Sequence, residues 1–155
     1  MPDSGTQAKW RGGEPKGSLE IAMEHAAFLL EADPGLAEEQ AREILRVFPR
    51  EARALVVLAK ALRMRGDAAG AKQAADSAIE SRENFAEAHV ERGLALAALG
   101  EGRKAVKALE RAFSLEPELA DTWRALGDQL TLSGDGAGAG RAYTRHIKSQ
   151  PDGDR

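Results

Sequence analysis

The residue types that act in catalysis and metal binding, cysteine apart, occur in this 155-residue sequence, but no Ser/His/Asp or paired-carboxylate arrangement stands out among them. It contains no cysteine, so a thiolate nucleophile, a disulfide and a cysteine-ligated metal site are excluded. The three histidines, His25, His89 and His146, lie far apart in the sequence, and none occurs in a metal-binding spacing such as H-E-x-x-H. We therefore predict a chain without a catalytic residue, a metal site or a cofactor.

A glycine-rich segment, residues 134–140 with the sequence GDGAGAG, is the only stretch that suggests a phosphate-binding loop. Such loops follow a strand and read G-x-G-x-x-G or G-x-x-x-x-G-K-[ST], because their backbone amides must surround a phosphate. This segment matches neither pattern, and nothing resembling a strand precedes it. We interpret it as a turn followed by the start of a helix at about 137–149, in which each interior glycine costs about 0.5–1 kcal/mol relative to alanine.

The composition indicates a soluble globular protein, with 43% hydrophobic and 30% charged residues. The 22 Lys and Arg residues against 25 Asp and Glu residues give a net charge of −3, which argues against a whole-domain nucleic-acid binder. No segment has the roughly 18 consecutive apolar residues of a membrane span, or the apolar run of a secretory signal. We expect a cytoplasmic protein that binds neither nucleic acid nor membrane.

The elements that position any site come from an internal repeat with a period of 34 residues. Apolar residues at three- and four-residue spacing predict two helices per repeat, for example at about 86–99 and 102–115, with a glycine turn between them. No segment alternates as a strand would. The matching sets are Ala52, Ala86 and Ala120; Leu62, Leu96 and Leu130; Gly66, Gly100 and Gly134; and Ala71, Ala105 and Ala139.

This pattern resembles the tetratricopeptide repeat, a helix–turn–helix unit with the signature W-x2-L-G-x2-Y, then A-x3-F, then P. The best copy reads Trp123-x2-Leu126-Gly127-x2-Leu130, then Ala139-x3-Tyr143, then Pro151. The resemblance implies that one set of small and aromatic positions packs the helices of each unit together. These positions are Ala59, Gly93, Gly127, Ala71, Ala105, Ala139, Trp123 and Tyr143.

The resemblance implies an all-α fold, a right-handed α-solenoid of stacked antiparallel helix pairs with about eight helices. We predict three clear units and a degenerate leading unit within a domain at 18–150. A flexible N-terminal arm at 1–17 and a C-terminal tail at 152–155 flank this domain. The unit boundaries are 18–51, 52–85, 86–119 and 120–151.

The family resemblance also implies a concave groove, lined by the first helix of each unit, that binds extended or helical peptides. The groove positions of the three clear units are Arg53, Val56, Lys60, Arg63, Met64, Val90, Leu94, Arg124 and Asp128. Those of the leading unit are Leu19, Ala22, Ala26, Leu29 and Leu30. Basic and apolar groove residues favour a partner segment with acidic and apolar side chains. The asparagines with which some relatives clamp a C-terminal carboxylate are absent from the matching positions.

These observations favour a non-catalytic protein–protein interaction module that holds a partner protein or peptide in its groove. Two alternatives remain open. The chain could be a recruiting or regulatory N-terminal domain of a larger enzyme, since its repeats are similar to bacterial repeat regions found alone or ahead of sulfotransferase domains. It could also be a self-assembling structural protein, because a solenoid usually ends in a polar capping helix, and we expect none after residue 150. His146 replaces an alanine that would contact a following unit, so stacking is expected to stop or change there.

Overall fold

The fold is taken from a computed structural model that describes residues 16–150, without the side chains of residues 16, 120 and 121. The arm predicted at 1–17 therefore lies outside the described residues, except for Lys16 and Gly17, which begin the first helix. The tail predicted at 152–155 lies outside them as well.

Eight α-helices and one short 3-10 helix, with no strand, make up the described part of the chain. The α-helices match the number implied by the repeat, and the 3-10 helix Pro117–Asp121 precedes α7. Their bounds are α1 Lys16–Ala32, α2 Pro34–Val47, α3 Ala52–Met64, α4 Ala68–Ser81, α5 Ala86–Ala98, α6 Gly102–Leu115, α7 Thr122–Leu132 and α8 Gly136–Ser149.

Local turn chemistry explains where the helices of a unit end and restart. Gly66, Gly100 and Gly134 adopt φ values of +88°, +82° and +85°, a conformation that favours glycine and ends the preceding helix. The carboxylates of Asp67 and Asp135 then accept hydrogen bonds from the amides of the first turns of α4 and α8, at 2.9 and 2.8 Å. In the turn motif found in the sequence, the glycine thus ends the first helix of a unit and the following aspartate caps the start of the second.

The helices pack as four antiparallel pairs, α1–α2, α3–α4, α5–α6 and α7–α8. The second helix of each of the first three pairs also contacts the first helix of the next pair, and the first helices α1, α3, α5 and α7 lie side by side. The chain is therefore an all-α solenoid, whose side-by-side first helices form the surface on which a groove was expected.

Two glycines allow close approach within the pairs. A Cβ atom on Gly93 would lie 2.6 Å from Leu109 Cδ1 and 3.1 Å from the Ala105 carbonyl oxygen. A Cβ atom on Gly127 would lie 2.6 Å from Cε1 of Tyr143. Any larger side chain at these positions would push the two helices of the pair apart.

Candidate peptide-binding cleft

A cleft of about 370 Å³ lies between α1, α3 and the segment that leads into α5. Apolar side chains from all three parts line it, and charged side chains of both signs surround them. The apolar lining residues are Met23, Ala27, Leu30, Val56, Val57 and Phe85, and the charged ones are Glu20, Glu24, Arg53, Lys60, Arg82 and Glu87.

The structure corrects the groove positions predicted in the leading unit. Only Leu30 of that set lines the cleft, whereas Leu19, Ala22, Ala26 and Leu29 pack in the core and are not part of the lining. The lining residues of α1 instead precede those of α3 by 33 residues: Glu20, Met23, Glu24 and Ala27 correspond to Arg53, Val56, Val57 and Lys60.

The physical reason for this shift is a shorter connection. The helix cap Asp33 follows the buried Ala26 by seven positions, whereas Asp67 follows Ala59 by eight. With one residue fewer, the set of α1 residues that faces the cleft is shifted by about 100° around the helix, because an α-helix has 3.6 residues per turn. The 34-residue period therefore holds for the second helix of the leading unit but not for its first.

Arg53 lies at the cleft but is already paired within the protein. Its guanidinium donates to both carboxylate oxygens of Glu20, at 2.8 and 2.9 Å, and from Nε to Glu51 at 2.8 Å. The hydrogen bond from Arg53 lowers the pKa of Glu20 below its ordinary value. The same bonds, that to Glu20 first and that to Glu51 second, raise the pKa of Arg53 further. Arg53 therefore links α3 to α1 at the edge of the cleft.

Arg63 is paired as well, outside the cleft. Its Nε donates to the carboxylate of Glu91 at 2.9 Å. The side chain of Glu91 is only 2% exposed, whereas that of Arg63 is 22% exposed. A buried carboxylate needs such a partner, because transferring an unpaired charge into the interior costs several kcal/mol. Arg63 thus connects α3 to α5.

Lys60 is the remaining predicted cation of α3, and its surroundings differ. It is half-buried in the lining of the cleft. Within residues 17–150, excluding side chains 120 and 121, no carboxylate forms an ion pair with it. Arg82, in the segment that leads into α5, instead lies over the ring of Phe85, 4.7 Å from its centroid. Lys60 is therefore the cleft cation best placed to meet an external carboxylate.

Five predicted groove residues lie elsewhere. Val90 and Leu94 do not line the cleft and pack in a core cluster with residues of α7. Met64 is exposed at the end of α3. Arg124 and Asp128 are exposed on α7, where Asp128 accepts a hydrogen bond from the hydroxyl of Tyr143 at 2.6 Å. The structure thus brings together three of the nine residues: Arg53, Val56 and Lys60.

Two of the features considered for chemistry, His89 and the glycine-rich segment, form hydrogen bonds within the protein. His89 donates from Nε2 to the backbone carbonyl of Glu83 at 2.8 Å. In the glycine-rich segment, the amide of Gly138 already donates to Asp135. No group of His, Cys, Asp and Glu residues in the described part of the chain could hold a metal ion. Across residues 16–150, no helix has both the length and the apolarity needed to cross a bilayer.

Comparisons with known proteins agree with this architecture. The family model described as tetratricopeptide repeat matches residues 27–89 and 90–154. No curated protein matches the sequence. A crystal structure of MamA is similar with a TM-score of 0.65 at 21% identity, covering 84% of this chain and 77% of that one. A second structure, TTC0263 of Thermus thermophilus, a tetratricopeptide repeat protein, has a TM-score of 0.66 at 23% identity, over 89% and 80%. Both likenesses show the fold.

Proposed function

The chain belongs to the tetratricopeptide repeat family, and we propose that it is a non-catalytic module that binds a segment of a partner protein in the cleft between α1, α3 and α5. The family membership supports protein interaction in general. The observation that carries the specific proposal is the cleft, which combines an apolar lining with Lys60, a cation that has no ion-pair partner among the described side chains. A recruiting role within a longer protein would use the same surface.

The chemistry of the lining defines the partner segment. A volume of about 370 Å³ accommodates one or two apolar side chains, which would contact the small exposed parts of Met23, Val56 and Val57, side chains that are 7%, 2% and 6% exposed. An acidic residue next to them in the partner would reach Lys60. The carboxylates of Glu24 and Glu87 on the same cleft disfavour a uniformly acidic segment, because like charges repel at short distance. We therefore expect an apolar anchor with one neighbouring Asp or Glu.

Selection from a random peptide library, with the purified chain as the target, tests this proposal. Selected sequences should share a large apolar residue with an acidic neighbour. Lys60→Glu should weaken their binding at least tenfold, measured by fluorescence anisotropy, because it replaces attraction by repulsion. The matched control is Lys107→Glu, the same charge change at an exposed lysine of α6 outside the cleft lining.

Equal loss of affinity in the two variants would contradict the proposal, since a general charge effect would then explain the binding. Failure to select any peptide would contradict it too. Circular dichroism at 222 nm, where helices give a strong negative ellipticity, verifies that each variant keeps its helix content. Neither lysine has a described ion-pair partner, so neither change removes an internal contact.

A further inference from the structure

The first and last helices expose large apolar side chains at opposite ends of the solenoid. Ile21 and Phe28 of α1 are 69% and 65% exposed, and Ile147 of α8 is 70% exposed. Ile21 and Phe28 are seven residues apart and therefore share one face of α1. Exposed apolar side chains of this size, on faces that pack against a neighbouring unit elsewhere in the chain, indicate an unfilled interface.

Ile147 occupies a position that contacts the next unit in every earlier pair. Its equivalents at 34-residue spacing are Leu45, Ile79 and Phe113, each half-buried against the core. The ring of Phe113 lies 6.3 Å from that of Trp123 in α7. Ile147 is exposed because no helix among the described residues packs on that side of α8.

The exposed face of α1 is the complementary half of the same interface. Counted from the buried residues Ala26 and Gly93, Ile21 and Phe28 of α1 correspond to Ala88 and Ala95 of α5. Both alanines are fully buried. The other buried members of their core clusters belong to the preceding units. The face of α1 that carries Ile21 and Phe28 is thus the one that would receive a preceding second helix.

The two ends also carry opposite charge. Glu24 and Glu31 each follow an exposed apolar residue of α1 by three positions, and the only Lys or Arg of α1 is its first residue, Lys16. Helix α8 contains no Asp or Glu, and its Arg141 and Lys148 are exposed. None of these four charges has a partner among the side chains described. Opposite charges at the rims of two faces direct association and suppress like-with-like pairing.

We propose that two copies of this chain associate head to tail, with α8 of one copy packed on α1 of the next. The contact joins different surfaces, so it is heterologous and extends to longer assemblies unless it closes into a ring. His146 stands where Ala78 and Ala112 meet the next unit within the chain, and its larger side chain widens the contact. The association is therefore weaker than the internal stacking and depends on concentration.

Sedimentation equilibrium of the full chain tests this proposal at micromolar to millimolar concentrations. The weight-average mass should rise with concentration past that of a dimer, and added salt should lower it. The variants Ile147→Glu and Ile21→Ser/Phe28→Ser, each altered on one end only, should be monomeric. Met64→Ser, which removes an exposed apolar side chain of α3 away from both ends, should associate like the wild type.

A mixture of the two monomeric variants is the decisive sample. Each retains the end that the other lacks, so together they should form a heterodimer and nothing larger. A wild-type chain that stays monomeric at millimolar concentration would overturn the proposal. So would assembly of either variant alone, or a mixture that remains monomeric. All substituted side chains are exposed, and circular dichroism verifies that the variants are folded.

Discussion

Arg63 of α3 donates to the carboxylate of Glu91 in α5 at 2.9 Å, so a cation predicted to face the groove instead connects two repeats. Arg53 is likewise bound to Glu20 and Glu51. Of the three groove cations of this helix, Lys60 alone has no described partner. Reversing all three charges together would test folding and binding at once, whereas Lys60→Glu tests binding.

Removing Arg63 should lower the free energy of unfolding more than removing its partner Glu91. Arg63→Ala leaves a carboxylate that is 2% exposed without a partner, and we expect it to cost about 3 kcal/mol of unfolding free energy. Glu91→Ala should cost less, since the Arg63 side chain reaches water. Urea unfolding of both single variants and of the double variant measures the coupling. Equal costs below about 0.5 kcal/mol would show that the pair is not structurally required.

Gly127 should be intolerant of even one methyl group. Gly127→Ala places a Cβ atom 2.6 Å from Tyr143 Cε1, and overpacking of this kind costs about 1–3 kcal/mol. Thermal unfolding should show a lower midpoint for this variant. Tyr143→Leu in the same chain should recover part of the loss, because it removes the ring that clashes. A midpoint unchanged by Gly127→Ala would mean that α7 and α8 are not closely packed there.

Substitution of Gly140 in the same helix pair should have the opposite effect on stability. Nothing lies within 4 Å of a Cβ atom built on it. Gly140→Ala should therefore stabilise the protein by about 0.5–1 kcal/mol, because glycine weakens a helix interior. Urea unfolding in dilute solution measures this gain apart from any association through α8. Destabilisation by Gly140→Ala would show that another segment covers this face.

Glu20 should titrate at lower pH than an ordinary glutamate. Its pKa is lowered because Arg53 donates hydrogen bonds to its ionised form. A carboxylate whose folded pKa is depressed stabilises the fold above its unfolded pKa, and this contribution is lost as the pH falls through the folded value. Carboxyl NMR titration should show the Glu20 pKa rising to its ordinary range in Arg53→Gln. No change between wild type and variant would mean that the pair is broken in solution.

The sequence predicts the helices well because their boundaries depend on local signals. The helix predicted at 102–115 has those bounds in the structure, and the one predicted at 86–99 ends one residue earlier, at Ala98. Glycine turns and carboxylate caps act within a few residues, so they can be identified along the chain. The same reasoning located the turn at Gly134 and the helix that follows it.

The composition of the cleft could be predicted only in part. The rotation of α1 about its axis, relative to the other first helices, depends on one residue missing between Ala26 and Asp33. The missing residue can be found by counting along the sequence, but alignment on the 34-residue period hides it. The pairing of Arg63 with Glu91 joins residues 28 positions apart in neighbouring repeats. Whether a repeat cation is free or neutralised is decided by such tertiary contacts, which no spacing within one repeat reveals.

The most direct test of the central claim is to locate a selected peptide on the protein by methyl NMR. Labelled methyl groups of Met23, Val56 and Val57 belong to side chains at most 7% exposed that line the floor of the cleft, whereas those of Leu126 and Leu130 lie in the core around α7. Addition of the peptide should shift the first group at concentrations that match its dissociation constant and leave the second group unchanged. Shifts centred on the second group, with none in the cleft, would contradict the proposal that this chain binds its partner between α1, α3 and α5.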